Sequence, residues 1–210
     1  EEQYRYEHCE KYFNGIDEQF NIDNCTHSIF GVNKLYSDLI VQEYGNNFKL
    51  KTCVLRCGCL TGGNHKGAEL HGFLSYLSKC IKNKIQYNIY GYKGKQVRDV
   101  LHVDDLVELI DLQIHNIEKF VGKVYNVGGG LENSASLQDM TAICEKITGN
   151  KIQIDEVAET RPADLRIFIT DNTKIETEIG WKPKKSVETI FKDIYLWIQK
   201  NEKQLESILK

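Results

Sequence analysis

The stretch QVRDVLHVDDLVELI, Gln96–Ile110, decides the fold. Its first half is apolar at Val97, Val100 and Leu101 and reads as a short β-strand, and from about Asp104 to Ile117 the spacing becomes helical. A strand that passes directly into a helix is the building unit of α/β folds. The strand also carries a charge at Arg98. A guanidinium in apolar surroundings needs a partner, and Asp99 and Asp104 are the candidates within the stretch itself.

The alternation continues on both sides. Upstream, YNIYGY (87–92) is β-rich and joined to the strand by Lys93–Lys95. Before it, the glycine-bearing loop LTGGNHKG (60–67) opens a helix near Ala68 whose inner stripe is Phe73, Leu74, Leu77 and Ile81. KLKTCVLRCG (49–58) reads as a buried strand of the parallel-sheet type. From about Phe30 to Tyr44, Val32, Leu35, Leu39 and Ile40 recur at helical spacing, and Gly45, Asn46 and Asn47 supply a stop. The first ~25 residues lack periodicity, with a turn at Asn14–Gly15. Downstream, GKVYNVGGG (122–130) is a strand running into glycines. SASLQDMTAICEKITG (134–149) is a helix capped by Ser136 or Ser134 and ended by Gly149. KIQIDEV (151–157) and LRIFITD (165–171) alternate as strands do, and NTKIETEIG (172–180) is a short helix. A last helix from about Ser186 to Leu209 turns Ile190, Ile194, Trp197 and Ile198 inward. No internal repeat interrupts the series.

Composition narrows the class. The chain has 210 residues, a net charge of −3 and 41% hydrophobic residues, enough for a sizeable core. There is no basic excess, so a nucleic-acid partner is not expected. No apolar run approaches the ~20 residues of a membrane helix, and the acidic start is no signal peptide. Seven cysteines, an odd number with no secretory signal, are expected as reduced thiols of a cytoplasmic protein. Cys53 and Cys57 would lie ~13 Å apart along a strand, too far to share one ion, and no metal site is expected.

A G-x-G-x-x-G turn near the start, with its βαβ unit, is missing. Gly128–Gly130 comes too late for a dinucleotide fingerprint, and a structural turn is its expected role.

Five blocks carry a resemblance that spans about Gly15 to Ile198. FGVNK (30–34) resembles a Y-x-x-x-K helix, with Phe30 where the tyrosine stands. LRCGCLTGG (55–63) is similar to the strand and loop that follow it. GKQVRDVLHVDDLVELI, VYNVGGGLENSASLQDM and RPADLRIFITDNTKIETEIGWKPKKSVETI resemble, in order, the later blocks of the extended short-chain dehydrogenase/reductases that act on nucleotide sugars. Details around Gln96–His102 and Asn133–Leu137 look most like the CDP-paratose (CDP-tyvelose) 2-epimerases.

The resemblance implies an NAD-binding Rossmann domain followed by a smaller α/β domain for the nucleotide sugar. Residues 1–66 would be the end of the first and 67–210 the second, with segments crossing back. The chain is therefore expected to be a piece of a longer epimerase. NAD is its cofactor when intact, and weak or absent NAD binding is expected for this piece. The resemblance further implies that Lys34 lies beside the nicotinamide ribose and that Cys57 lines the nicotinamide. Arg98 and Arg161 hold the substrate pyrophosphate, with Asp164 behind Arg161 and Arg166 as an alternative, and Cys59, His71 and Asn64 approach the sugar or nucleotide. Phe30 cannot take a proton; His27 and Tyr36 are the nearby substitutes to consider. His102, Asn126 and Asn133 are expected to be structural, through buried hydrogen bonds. A non-catalytic sugar-nucleotide module, a 4-epimerase and a 4,6-dehydratase remain alternatives, and a homodimer through the Lys34 helix, using Val32, Leu39 and Val41, is an expected partner arrangement.

Overall fold

A computed structural model describes residues 10–23, 25–65, 67–69, 71–160 and 164–205. The elements are α1 (Ile29–Phe48), β1 (Cys53–Cys57), β2 (Cys59–Thr61), α2 (Phe73–Asn83), β3 (Tyr87–Tyr90), β4 (Val97–His102), α3 (Val103–His115) and α4 (Ile117–Phe120). Then come β5 (Lys123–Val127), β6 (Ser134–Ser136), α5 (Leu137–Thr148), β7 (Ile154–Val157), β8 (Ile167–Phe168), α6 (Thr173–Ile179), α7 (Val187–Lys200) and α8 (Glu202–Leu205). The chain is α/β, as the alternation predicts.

The strands fall into three groups. β1 pairs in parallel with β5, and β3 in parallel with β7. β4 is the hub of the third group, parallel to β2 and β8 and antiparallel to β6. β1 and β2 are one extended segment that changes partner at Gly58, whose N–H donates to Val127 O at 3.0 Å. A side chain at Gly58 would press on Asp99 and Phe168 at 3.4 Å and on Thr170 at 3.2 Å.

Two hydrophobic clusters hold the elements. One brings α2, α5 and α7 together through Leu74, Leu77, Ile81, Met140, Cys144, Ile190, Phe191 and Ile194. The other packs α3, α4 and α6 on β4 and β5 through Leu101, Leu109, Phe120, Tyr125, Val127, Ile175 and Trp181. Ser136 caps α5 with a reciprocal box to Asp139, and Gly149 ends it in the left-handed region, both as read from sequence. Ile190, Ile194 and Ile198 of α7 point inward as expected, and Trp197 packs part-buried against the same core.

Some expectations need correction. α2 begins at Phe73, not near Ala68, because Ala68 and His71 pair backbone to backbone and Gly72 takes a left-handed φ of 67° before the first turn. α1 does not stop at Gly45 but runs to Phe48, and Lys49 closes it with φ 59°. Gly45 is instead a packing glycine: a Cβ there would lie 2.4 Å from Thr52 Oγ1. β1, expected to be buried, is only half-covered, with Cys57 exposed. No residue of α1 is buried, and Phe30, Tyr36 and Leu39 stand in solvent. The helix after β4 ends at His115, where Asn116 leaves helical geometry, and α4 restarts at Ile117. α7 likewise breaks at Asn201. No helix among the described residues is long and apolar enough to cross a membrane.

Candidate functional site

β4 places successive side chains on opposite faces, and its two central charges have different fates. Arg98 turns into a cleft between β3, α5 and the chain before β8. There its Nη2 donates to Asp164 Oδ1 at 2.9 Å and its Nη1 to Val97 O at 2.8 Å. The side chain is 17% exposed and that of Asp164 8%. The partner is thus Asp164, not the sequence neighbours Asp99 or Asp104. Parallel pairing of β4 with β8 brings position 164 to the mouth of the strand, a contact that local spacing could not reveal.

Asp99 points the other way and is fully buried. Its Oδ2 accepts from Gly130 N at 3.0 Å and Thr170 N at 3.2 Å. Burial pushes its carboxyl above the usual carboxylate range, against the pull of the hydrogen bonds from Thr170 and Gly130. The glycine run serves this contact. A Cβ on Gly128 would sit 2.1 Å from Thr170 Oγ1 and 2.3 Å from Asp99 Oδ2, and one on Gly129 would sit 2.2 Å from Val100 O. Gly128–Gly130 is therefore close packing around a buried carboxylate as well as a turn.

The Arg98 cleft is walled by Phe73, Tyr87, Leu137 and Met140, with Glu69, Asn88, Tyr90 and Gln96 as its polar groups. Glu69 Oε1 accepts from Asn88 Nδ2 at 2.8 Å and from Tyr90 OH at 3.0 Å. Sequence reading did not single out these residues. The alternation of β3, with Tyr87 and Ile89 buried and Asn88 and Tyr90 half-buried, was the signal for two of them. Glu69 lies in a loop and had none.

Phe73 is shared with a second cavity lined by Cys59, Thr61, His65, His71 and Val100. Burial pushes the Cys59 thiol up to about 11, the Asp99 charge adding and Arg98 opposing. The His65 and His71 rings meet edge to face at 5.5 Å, and His65 is held below the ordinary histidine range by burial and then by His71. Cys59 and His71 thus line a cavity that adjoins the Arg98 cleft at Phe73.

Lys34 and Cys57 line a different place, an open groove between α1 and β1 that also includes Phe30, Asp38 and Arg56. Lys34 Nζ lies 5.4 Å from the Phe30 ring centroid, the one-turn spacing expected of the motif. Arg56 Nε donates to Asp38 Oδ2 at 2.6 Å and ties α1 to β1. Neither His27 nor Tyr36, the substitutes considered for the missing phenol, lines this groove. His27 Nδ1 contacts Cys25 O at 2.8 Å, and Tyr36 is 65% exposed.

Arg161 lies outside the described residues. Arg166 has its guanidinium 5.8 Å from the Tyr92 ring centroid, and Asn64 is exposed. His102 Nδ1 accepts from Asp104 N at 3.0 Å, Asn126 Nδ2 donates to Ile16 O at 2.9 Å, and Asn133 Nδ2 donates to Lys185 O at 3.1 Å. All three are hydrogen-bonded as expected. Among the described residues, no group of three or more His, Cys, Asp or Glu side chains is placed to hold a metal ion.

Known proteins resemble this chain along most of its length. The family model described as GDP-mannose 4,6 dehydratase matches residues 14–194. A CDP-paratose 2-epimerase of Salmonella typhi is 31% identical over 205 residues, covering 93% of this chain and 60% of the relative. A dTDP-glucose 4,6-dehydratase of Salmonella typhimurium is 29% identical over 191 residues, covering 86% of this chain and 50% of the relative. Among solved structures, the dTDP-glucose 4,6-dehydratase of Bacillus anthracis in complex with NAD superimposes with a TM-score of 0.76 at 24% identity, over 94% of this chain and 61% of that one. The chain thus spans 50–60% of the length of the two curated relatives.

Proposed function

The chain belongs to the GDP-mannose 4,6 dehydratase family of nucleotide-sugar epimerases and dehydratases, and from that premise we propose that it is the substrate-holding portion of an NAD-dependent nucleotide-sugar epimerase of the CDP-sugar 2-epimerase type. In the whole protein, residues 1–66 would close the dinucleotide-binding domain and 67–210 would form the sugar-nucleotide domain, in the cytoplasm.

The observation that carries the reading is Arg98. It is a largely buried guanidinium, oriented by Asp164, at the wall of an aromatic cleft. A planar fork with donors to spare fits a diphosphate bidentately. In this reading Phe73, Tyr87 and Leu137 supply apolar faces for a base, and Cys59 and His71 line the adjoining cavity that would take the sugar. We assign Arg98, Asp164, Cys59 and His71 to substrate, together with Arg161.

When bound, NAD would supply hydride exchange at a carbinol carbon of the sugar. What this chain offers that cofactor is Lys34, with Cys57 across an open groove. The sequence contains no G-x-G-x-x-G turn to hold a dinucleotide diphosphate, so the residues present fit only one end of the group. Phe30 leaves the groove without the phenol that Lys34 would keep ionised, and a positioned acid–base group is worth roughly 10²- to 10⁴-fold in rate.

Calorimetric titration tests the assignment. The chain is expected to bind CDP, to bind NAD weakly or not at all, and to lose CDP affinity by tenfold or more, on the order of one charge-assisted contact, in Arg98→Ala. Unchanged affinity in that variant would remove the site.

A further inference from the structure

We propose that the Glu69 carboxylate reads the base of the nucleotide and selects cytosine, through its exocyclic amino group, over uracil or thymine. The inference rests on the reading of the Arg98 cleft as a nucleotide site and adds a specificity element to it.

The tight turn in which Ala68 and His71 exchange backbone hydrogen bonds at 2.7 and 3.0 Å sets Glu69 over β3. Asn88 and Tyr90 both donate to its Oε1, at 2.8 and 3.0 Å. Two donors on one oxygen fix the side chain, and Oε2 takes no hydrogen bond from a described residue. Gln96 stands in the same wall. Its Nε2 donates to Tyr90 O at 3.3 Å, while its buried Oε1 has no partner among the described residues. This wall therefore presents one fixed, unused acceptor, Glu69 Oε2, while Arg98 presents the positive charge.

Cytosine carries an amino donor at the position where uracil and thymine carry a carbonyl acceptor. Against the amino group, Glu69 Oε2 makes a charge-assisted hydrogen bond, about twice as strong as a neutral one. Against the carbonyl, two acceptors face each other and the carboxylate loses water without a replacement. The expected discrimination is on the order of 10- to 100-fold, typical of one well-placed base contact.

The test is calorimetric titration of the 210-residue chain and its Glu69→Gln and Glu69→Ala variants with CDP, UDP, dTDP and GDP, with circular dichroism as the check on folding. CDP is expected to bind at least tenfold tighter than UDP or dTDP, in keeping with such a contact. That ratio is expected to collapse in both variants, Glu69→Gln keeping side-chain size and an acceptor for Asn88. Arg98→Ala is expected to weaken all four nucleotides while leaving the ratio intact, which separates base reading from diphosphate binding. Equal CDP and UDP affinity in the parent chain, a ratio untouched by either Glu69 variant, or GDP as the tightest ligand would overturn the base assignment and leave the diphosphate site standing. Failure of every nucleotide to bind would overturn both.

Discussion

Asp164 accepts a hydrogen bond from Arg98 at 2.9 Å across 66 residues of chain, and the contact joins the entry to β8 with the middle of β4. Removing one member of a largely buried pair strands the other. Arg98→Ala and Asp164→Ala are each expected to lower stability by about 1–3 kcal/mol. A double-mutant cycle read by urea denaturation should give a coupling of about 0.5–3 kcal/mol, and strict additivity would refute the idea that the pair holds this approach together.

His102 predicts a pH dependence. Its Nδ1 accepts from Asp104 N at the start of α3, which only an unprotonated nitrogen can do. Its pKa is lowered by burial and then by Lys185, with Asp104, Asp193 and Asp105 opposing. The unfolded chain therefore binds a proton at higher pH than the folded one. The contribution to stability is complete above the ordinary histidine value of ~6.5 and declines as pH falls from there toward the folded pKa. Melting temperatures between pH 8 and pH 5 should fall less steeply in His102→Asn, since asparagine also caps helices without titrating. Parallel curves would show that another group is responsible.

Gly128 is expected to tolerate no side chain. With Thr170 and Asp99 atoms 2.1 and 2.3 Å from the point where an alanine methyl would stand, Gly128→Ala should cost about 3 kcal/mol, the upper end of ordinary overpacking. Gly122, whose φ is +70° with nothing within 4 Å, is the control. Gly122→Ala meets only the left-handed backbone penalty of about 1–2 kcal/mol. Thermal unfolding of the two variants orders them.

Phe30→Tyr should install a phenol one turn from Lys34 Nζ, which lies 5.4 Å from the present ring centroid. At so exposed a site the ammonium is screened, and a downward shift of less than about 1 unit from the tyrosine value of ~10 is expected. Ultraviolet titration of Phe30→Tyr against Phe30→Tyr/Lys34→Ala isolates the new hydroxyl, and coincident titrations would show that Lys34 does not act on it.

The chain's local structure was largely readable because period and punctuation agree with the fold at most positions. Ser136, Gly149 and Gly180 sit where their cap chemistry demands. Gly45 misled because a glycine that makes room for Thr52 looks, in one dimension, like a glycine that stops a helix. β1 misled because apolar pattern reports what a segment can bury, not what covers it. At the site, Arg98 was legible as a charge in a strand, and its partner was not, since parallel pairing joins positions remote in sequence. Cys59 and His71 were placed by resemblance, whereas Glu69 depends on a loop turn that leaves no periodic trace.

Gly58 has a mechanical consequence. Because Cys53–Thr61 serves β5 with one half and β4 with the other, the groove beside Lys34 and the cleft beside Arg98 are strung on one extended span of backbone. Any displacement of the groove relative to the cleft has to bend this span or tear a row of its pairings. Gly58 therefore couples the two places, since a distortion at it is felt by both sets of pairings at once.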